Sequence, residues 1–202
     1  VNPQLRVLGL EIDPERVAEA RASADPPAVD FALGGFDLVN ALGAERARVV
    51  RCMNVLRQYD EAAVEHALAL IAEGIEPGGV LLEGTSDPTG RLTVFDVWRR
   101  DTTGLTHEAL VFATNFREYV SPAEFRTRAP KRLIHRMLDE TPARFFADWE
   151  RAALMARASF SAGTAQHWAE SARLLAESDA WPVDLRRRVL ERGFLALRSE
   201  LR

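Results

Sequence analysis

Three short segments put side chains able to bind a ligand where a strand hands over to a turn or helix. The first is Leu5-Arg-Val-Leu-Gly-Leu-Glu-Ile-Asp13, an apolar run that predicts a buried strand. Glu11 closes it, with Ile12 next. A carboxylate there can accept two hydrogen bonds from the vicinal hydroxyls of a ribose. Its plainer use is to stabilise a helix N-terminus. The second is Phe36-Asp37-Leu38, after Gly34-Gly35. Asp37 can accept from an adenine amino group and Phe36 and Leu38 can sandwich the ring; otherwise the segment simply opens another strand. The third begins at Met53-Asn54 and runs to Tyr59. Asn54, Arg57 and Tyr59 can face a substrate, or the loop only caps the next helix.

Other reactive residues offer less. His66, His107, His135 and His167 are scattered, and none stands at metal-ligand spacing from another His or from Cys52. His107, at the start of a strand, is a distant candidate for a general base. Cys52 falls in a buried strand and reads as a small inert hydrophobe. Arg186-Arg187-Arg188 is too short for a nucleic-acid patch and reads as a solvated helix face. Phe145, Phe146 and Trp149 read as helix-packing core.

The elements that must position these residues alternate. Asp13 caps a helix with Pro14 at its first position, and a strand is predicted over 29–33. A strand over 48–53 leads to a helix over 61–73 that Asp60 caps, with Val64, Leu68, Ile71 and Ile75 at helical spacing. Gly74 suits a C-cap, Pro77-Gly-Gly79 a turn, and Val80–Glu83 another strand. This predicts an α/β fold with a Rossmann-like, mainly parallel sheet. Two strand-like runs, 91–99 and 107–114, joined by Asp101-Thr-Thr-Gly104, predict an antiparallel hairpin. From Ser121 onward the chain reads as helical: a capping box at Ser121-Pro-Ala-Glu124, helices starting at Thr141-Pro142 and spanning 164–178, and a last one after Trp181-Pro182 with Leu185, Val189, Leu190 and Leu197 inward. The expected division is an α/β domain over 1–116 and a helical extension over 117–202.

Composition narrows the class. The chain has 202 residues, 47% of them hydrophobic, and a net charge of -4. That allows a sizeable core and argues against a nucleic-acid binder, which carries a basic surplus. Residues 1–116 have a balance of -8 and residues 117–202 one of +4. One cysteine excludes an internal disulfide and fits a reducing cytoplasm. No apolar run approaches the ~20 residues that cross a bilayer.

Taken in order, Val7-Leu-Gly-Leu-Glu-Ile-Asp-Pro-Glu15 resembles the second strand and following turn of class I S-adenosylmethionine-dependent methyltransferases. Gly35-Phe-Asp37 resembles their adenine-contacting turn. Asn54-Val-Leu-Arg-Gln-Tyr-Asp-Glu61, a helix, and Pro77-Gly-Gly-Val-Leu-Leu82 resemble their fourth strand, fourth helix and fifth strand. The hairpin is similar to their antiparallel strands six and seven. The resemblance covers about residues 5–115 and implies S-adenosylmethionine as cofactor. Glu11 and Ile12 would lie at the ribose, Phe36, Asp37 and Leu38 at the adenine, and Met53 and Asn54 along the cofactor. Arg57, Tyr59 and His107 would face the methyl acceptor.

The family's first strand, central in its sheet, ends in a glycine-rich loop because any Cβ would block the cofactor's approach. No such loop stands before Glu11. Without that strand, the strands at 5–12 and 48–53 lack a shared neighbour, and each unpaired backbone group left buried costs ~1–3 kcal/mol. The expectation is that sequence precedes Val1 or that something else fills the slot. The sequence thus predicts a cytoplasmic enzyme that methylates a small molecule rather than nucleic acid, without membrane contact, its C-terminal helices serving as a cap or homodimer surface. The alternatives are a non-catalytic interaction protein on a degenerate methyltransferase fold, and an NAD-dependent oxidoreductase.

Overall fold

The computed structural model describes residues 4–159, 161–198 and 201; Val1 lies outside them. Two sheets are present. β1 (Val7–Glu11) and β2 (Val29–Leu33) form a parallel pair. Five strands form the other sheet in the order β3 (Ala47–Met53), β4 (Ile75–Ser86), β5 (Thr93–Arg100), β6 (Leu105–Ala113), β7 (Phe194–Leu197). β3 and β4 are parallel and the remaining pairs antiparallel. The helices are α1 (Pro14–Arg21), α2 (Leu38–Leu42), α3 (Glu61–Glu73), α4 (Pro122–Phe125), α5 (Lys131–Ile134), α6 (Glu140–Ser159), α7 (Thr164–Ala176) and α8 (Arg187–Leu190). None is long and apolar enough to cross a membrane, among the described residues.

Local chemistry sets the ends. Asp13 Oδ1 accepts from the N–H groups of Glu15 and Arg16 at the start of α1, and Asp60 Oδ1 from Ala63 N–H at the start of α3. Gly74 does follow α3, but its φ is -86°, so left-handed freedom is not why glycine stands there. A Cβ at Gly74 would lie 2.3 Å from the Leu38 Cβ; α2 leans directly on this backbone.

Residues directly opposite in a ladder share a face. Cys52, Glu83, Asp96, Leu110 and Leu197 therefore form one row across the sheet, and all five are buried. Helices cover this face in two apolar clusters. Val64, Ala67 and Ile71 of α3 meet Cys52, Leu56 and Leu81. Further along, α6 and α7 pack on β5–β7, and the Phe112 ring lies 5.0–5.8 Å from those of Phe125, Phe145, Phe146 and Trp149.

Several expectations change. The segment after Phe36-Asp37 is a short helix, α2, and not the strand weighed as the alternative reading, because Asp37 accepts from Asn40 N–H and nucleates a turn. Pro77-Gly-Gly79 does not separate a turn from a strand. It is an irregularity inside β4, where the register against β3 shifts and Gly78 takes φ +83°. Ile75 consequently belongs to β4, not to the helix. The region after Ser121 is not wholly helical: its last long helix is replaced by α8 and β7, which places Leu197 in the sheet and leaves Leu185 46% exposed.

β1 and β3 share no neighbour, yet their amino ends are tied by the Arg6–Glu45 ion pair. Val7 and Val49 on these strands are 50% and 62% exposed. Solvent reaches both strands, which relieves the burial penalty anticipated for their unpaired edges.

Candidate functional site at the carboxyl edge of the sheets

The residues singled out by sequence gather in part at the carboxyl ends of β1, β2 and β3. Glu11 ends β1, and its Oε1 accepts from Ile12 and Asp13 N–H at 2.8 and 3.1 Å. Its Oε2 has Arg16 at 3.7 Å, and the side chain is 36% exposed. One oxygen thus holds the turn and the other faces outward. Ile12 is exposed and lies beside Gly35. Asp37 Oδ1 caps α2, so this carboxylate also keeps one oxygen for a ligand. Phe36 meets Tyr59 edge-to-face, 5.4 Å between ring centres, which joins the loop after β2 to the loop after β3.

Met53 is half-buried at the end of β3 opposite Gly84. Asn54 adopts φ +65°, a region asparagine tolerates better than most side chains. Its N–H donates to Gly84 O at 2.8 Å and its Oδ1 accepts from Ser86 N–H at 2.9 Å. Asn54 thereby clamps the ends of β3 and β4 together. Arg57 is half-buried and makes no ion pair among the described residues.

Two expected site residues are elsewhere. Leu38 is buried in the α3 cluster, against which the half-buried Phe36 also packs, so it offers no second face to a ring. His107 lies near the opposite end of the sheet and is enclosed. The register shifts between Val97 and Trp98, so that Ala109 opposes Val97 and His107 opposes Trp98. Glu108 is the extra residue, pairing outward with Arg99 at 2.8 Å. That bulge turns the His107 side chain, 5% exposed, onto the covered face.

There it completes a buried polar quartet. Asp96, with no exposed surface, takes Nε of Arg132 at 2.7 Å and a second, shorter bond from the same guanidinium. His107 Nε2 lies 2.8 Å from Asp96 Oδ1 and 3.0 Å from Arg132 Nη2. Glu83 stands directly across the β4–β5 ladder from Asp96. Burial, reinforced by the Asp96 charge and partly offset by Arg132, raises the Glu83 carboxyl to about 8. Burial, with Glu83 adding to it, pushes the Cys52 thiol up to about 12, so it stays protonated and unreactive. Sequence reasoning missed Glu83, Asp96 and Arg132. The signal was present in Val80-Leu-Leu-Glu83 and Val94-Phe-Asp-Val-Trp98, where an acid sits inside an apolar strand. No three His, Cys, Asp or Glu residues stand close enough to hold a metal, among the described residues.

No family model matches the chain, and neither does any curated protein. Among solved structures it is similar to a chain of the Haloferax volcanii complex between the Trm112 methyltransferase activator and a protein designated a methyltransferase, at 29% identity and a TM-score of 0.33. That likeness covers 40% of this chain and spans about a third (34%) of the other. It is also similar to the S-adenosylmethionine-dependent methyltransferase of Mesorhizobium loti, at 12% identity and a TM-score of 0.33, covering 95% of this chain and 78% of that one. Both are methyltransferase structures, and likenesses at this level fix neither activity nor substrate.

Proposed function

We propose that this chain is part of an S-adenosylmethionine-dependent methyltransferase acting on a small molecule. One observation carries the reading. The two parallel strand pairs are joined at both ends, by Arg6–Glu45 just before β1 and β3 and by Phe36–Tyr59 in the loops that follow β2 and β3. Ligands of open α/β sheets bind outside the carboxyl ends of the strands, which here present Glu11 and Asn54. The residues fit the nucleoside half of the cofactor: Glu11 Oε2 accepts from a ribose hydroxyl, Asp37 Oδ2 from the adenine amino group, and Phe36 supplies a ring face. Leu38 takes no part, since it lies in the core.

When bound, the cofactor supplies a methyl group on a sulfonium. The task of the chain is then to align and desolvate the acceptor. Met53 and Asn54 form the floor at the end of β3, Arg57 and Tyr59 border the acceptor, and the region 117–202 serves as its cap. A second reading, a non-catalytic interaction protein on this fold, draws on the fact that Glu11 and Asp37 each commit one oxygen to their own loops.

Calorimetric titration with S-adenosylhomocysteine separates them. The enzyme reading expects saturable binding that Glu11→Gln weakens by about tenfold, the size of a lost charged hydrogen bond. No heat, or binding indifferent to Glu11→Gln, sinks it. Binding of NAD instead selects the oxidoreductase.

A further inference from the structure

A second recess lies past the end of β6, between Thr114 and the helices α6 and α7. Its walls include Tyr119, Val120, Trp149, Arg157 and Trp168. The space between them, mouth included, is about 360 Å³, of which about 20 Å³ now admits a water. It is nearly shut, and what shuts it is visible: the Arg157 guanidinium lies 4.4 Å over the Tyr119 ring. Both residues are exposed at the mouth.

Two features of the lining call for an acceptor of negative charge. The Trp168 residue is 7% exposed, and its indole N–H has no hydrogen-bond partner among the described residues. A buried donor left so costs ~1–3 kcal/mol and asks for an explanation. Arg157, meanwhile, makes no ion pair among the described residues, and its guanidinium rests on the Tyr119 ring. No Asp or Glu lines the recess. The Ser171 hydroxyl in the wall is already used, since it donates to Trp168 O at 2.8 Å and lies 3.4 Å from Trp149 Nε1. Thr114, Thr164 and His167 add polar groups to the lining, and the rest is ring faces and aliphatic groups, which suit a flat apolar body.

We propose that this recess binds a small planar carboxylate, with the Trp168 indole N–H and the Arg157 guanidinium as its two donors and the Tyr119 and Trp149 rings against its body. Entry requires Arg157 to lift from Tyr119, so the ligand's charge replaces the ring as its partner. The site lies at the carboxyl end of β6, the same edge of the sheet as Asn54. Binding there does not rest on the methyl-transfer reading and is tested without cofactor. Should that reading also hold, the class of acceptor is an aromatic acid.

The test is ligand-observed NMR and calorimetry with benzoate and its uncharged analogue benzyl alcohol. The wild-type chain is compared with Arg157→Gln, at an exposed position, and with Trp168→Phe, which removes the donor but keeps a ring. Benzoate is expected to bind saturably in the millimolar range or tighter, and benzyl alcohol about tenfold more weakly, as for loss of one charged hydrogen bond. Arg157→Gln should lower benzoate affinity by a similar factor while leaving benzyl alcohol unchanged. Trp168→Phe should weaken benzoate in a protein whose circular dichroism matches wild type. No saturable benzoate binding to the wild-type chain overturns the proposal. Equal affinity for the two probes, or an Arg157→Gln variant that binds benzoate as wild type does, also overturns it. If Trp168→Phe fails to fold, the Arg157 and benzyl alcohol arms decide.

Discussion

Glu83 is held in its neutral form by where it stands. Burial raises its carboxyl from 4.5 to about 8. A carboxyl whose folded pKa lies above its unfolded value keeps its proton in the native state while the unfolded chain gives it up. Glu83 therefore costs no stability below the unfolded pKa, costs progressively more as pH rises from there, and costs most above about 8. Glu83→Gln should stabilise the protein by on the order of 3 kcal/mol near pH 8.5 and by little near pH 5, as read from urea midpoints. An equal effect at both pH values would show that packing, not ionisation, governs the site. The same residue shows what sequence can reveal. An acid inside an apolar strand is visible, but its partners are not. Asp96 is 13 positions away and Arg132 another 36, and only the β4–β5 register and the docking of α5 bring them together. Glu11 and Asp37 were legible as carboxylates at turns, and a helix N-terminal use was foreseen for Glu11; the cap that Asp37 makes on α2 was not, because it depends on backbone geometry that a residue's identity leaves open.

At the scale of elements, contact between helices competes with backbone preference at Gly74. With φ at -86°, alanine would fit the backbone and gain by restricting the unfolded chain, by about 0.4–1 kcal/mol. The Leu38 Cβ only 2.3 Å from the added methyl predicts the opposite sign. Gly74→Ala should thus destabilise by about 1–3 kcal/mol, measured by denaturant unfolding, and a gain in stability would mean that α2 is free to shift. α2 itself escaped sequence reading because five residues are too few for a periodic signal. The longer elements were legible: α1 from its cap, α3 from its cap and periodicity, and the two hairpin strands from apolar runs joined at Asp101-Thr-Thr-Gly104. β7 was not, since Phe194-Leu-Ala-Leu197 continues an apolar pattern that suits a helix equally well, and only the free edge of β6 decides.

For the whole molecule, the row through the sheet has an effect beyond the local energies of its members. The quartet of Glu83, Asp96, His107 and Arg132 lies between two separate apolar clusters, one gathered under α3 and the other under α6 and α7. Apolar contact is what couples distant parts of a domain into one cooperative transition, and here it is interrupted by Glu83 and by three groups, Asp96, His107 and Arg132, that hold each other by hydrogen bonds. A seam of this kind divides the molecule into two foldons. The half with Phe112 and Trp149 contains the denser aromatic packing and should open last. Native-state hydrogen exchange should find the amides of β6 and α6 protected at the global free energy, and those of β1, β2 and α3 released through a smaller opening. A single common opening energy for all of them would mean that the charged seam transmits strain as well as a hydrocarbon core does. If the seam does divide the protein, then the half bearing Glu11 and Asn54 can loosen and re-form around a ligand while the half bearing Trp168 stays folded.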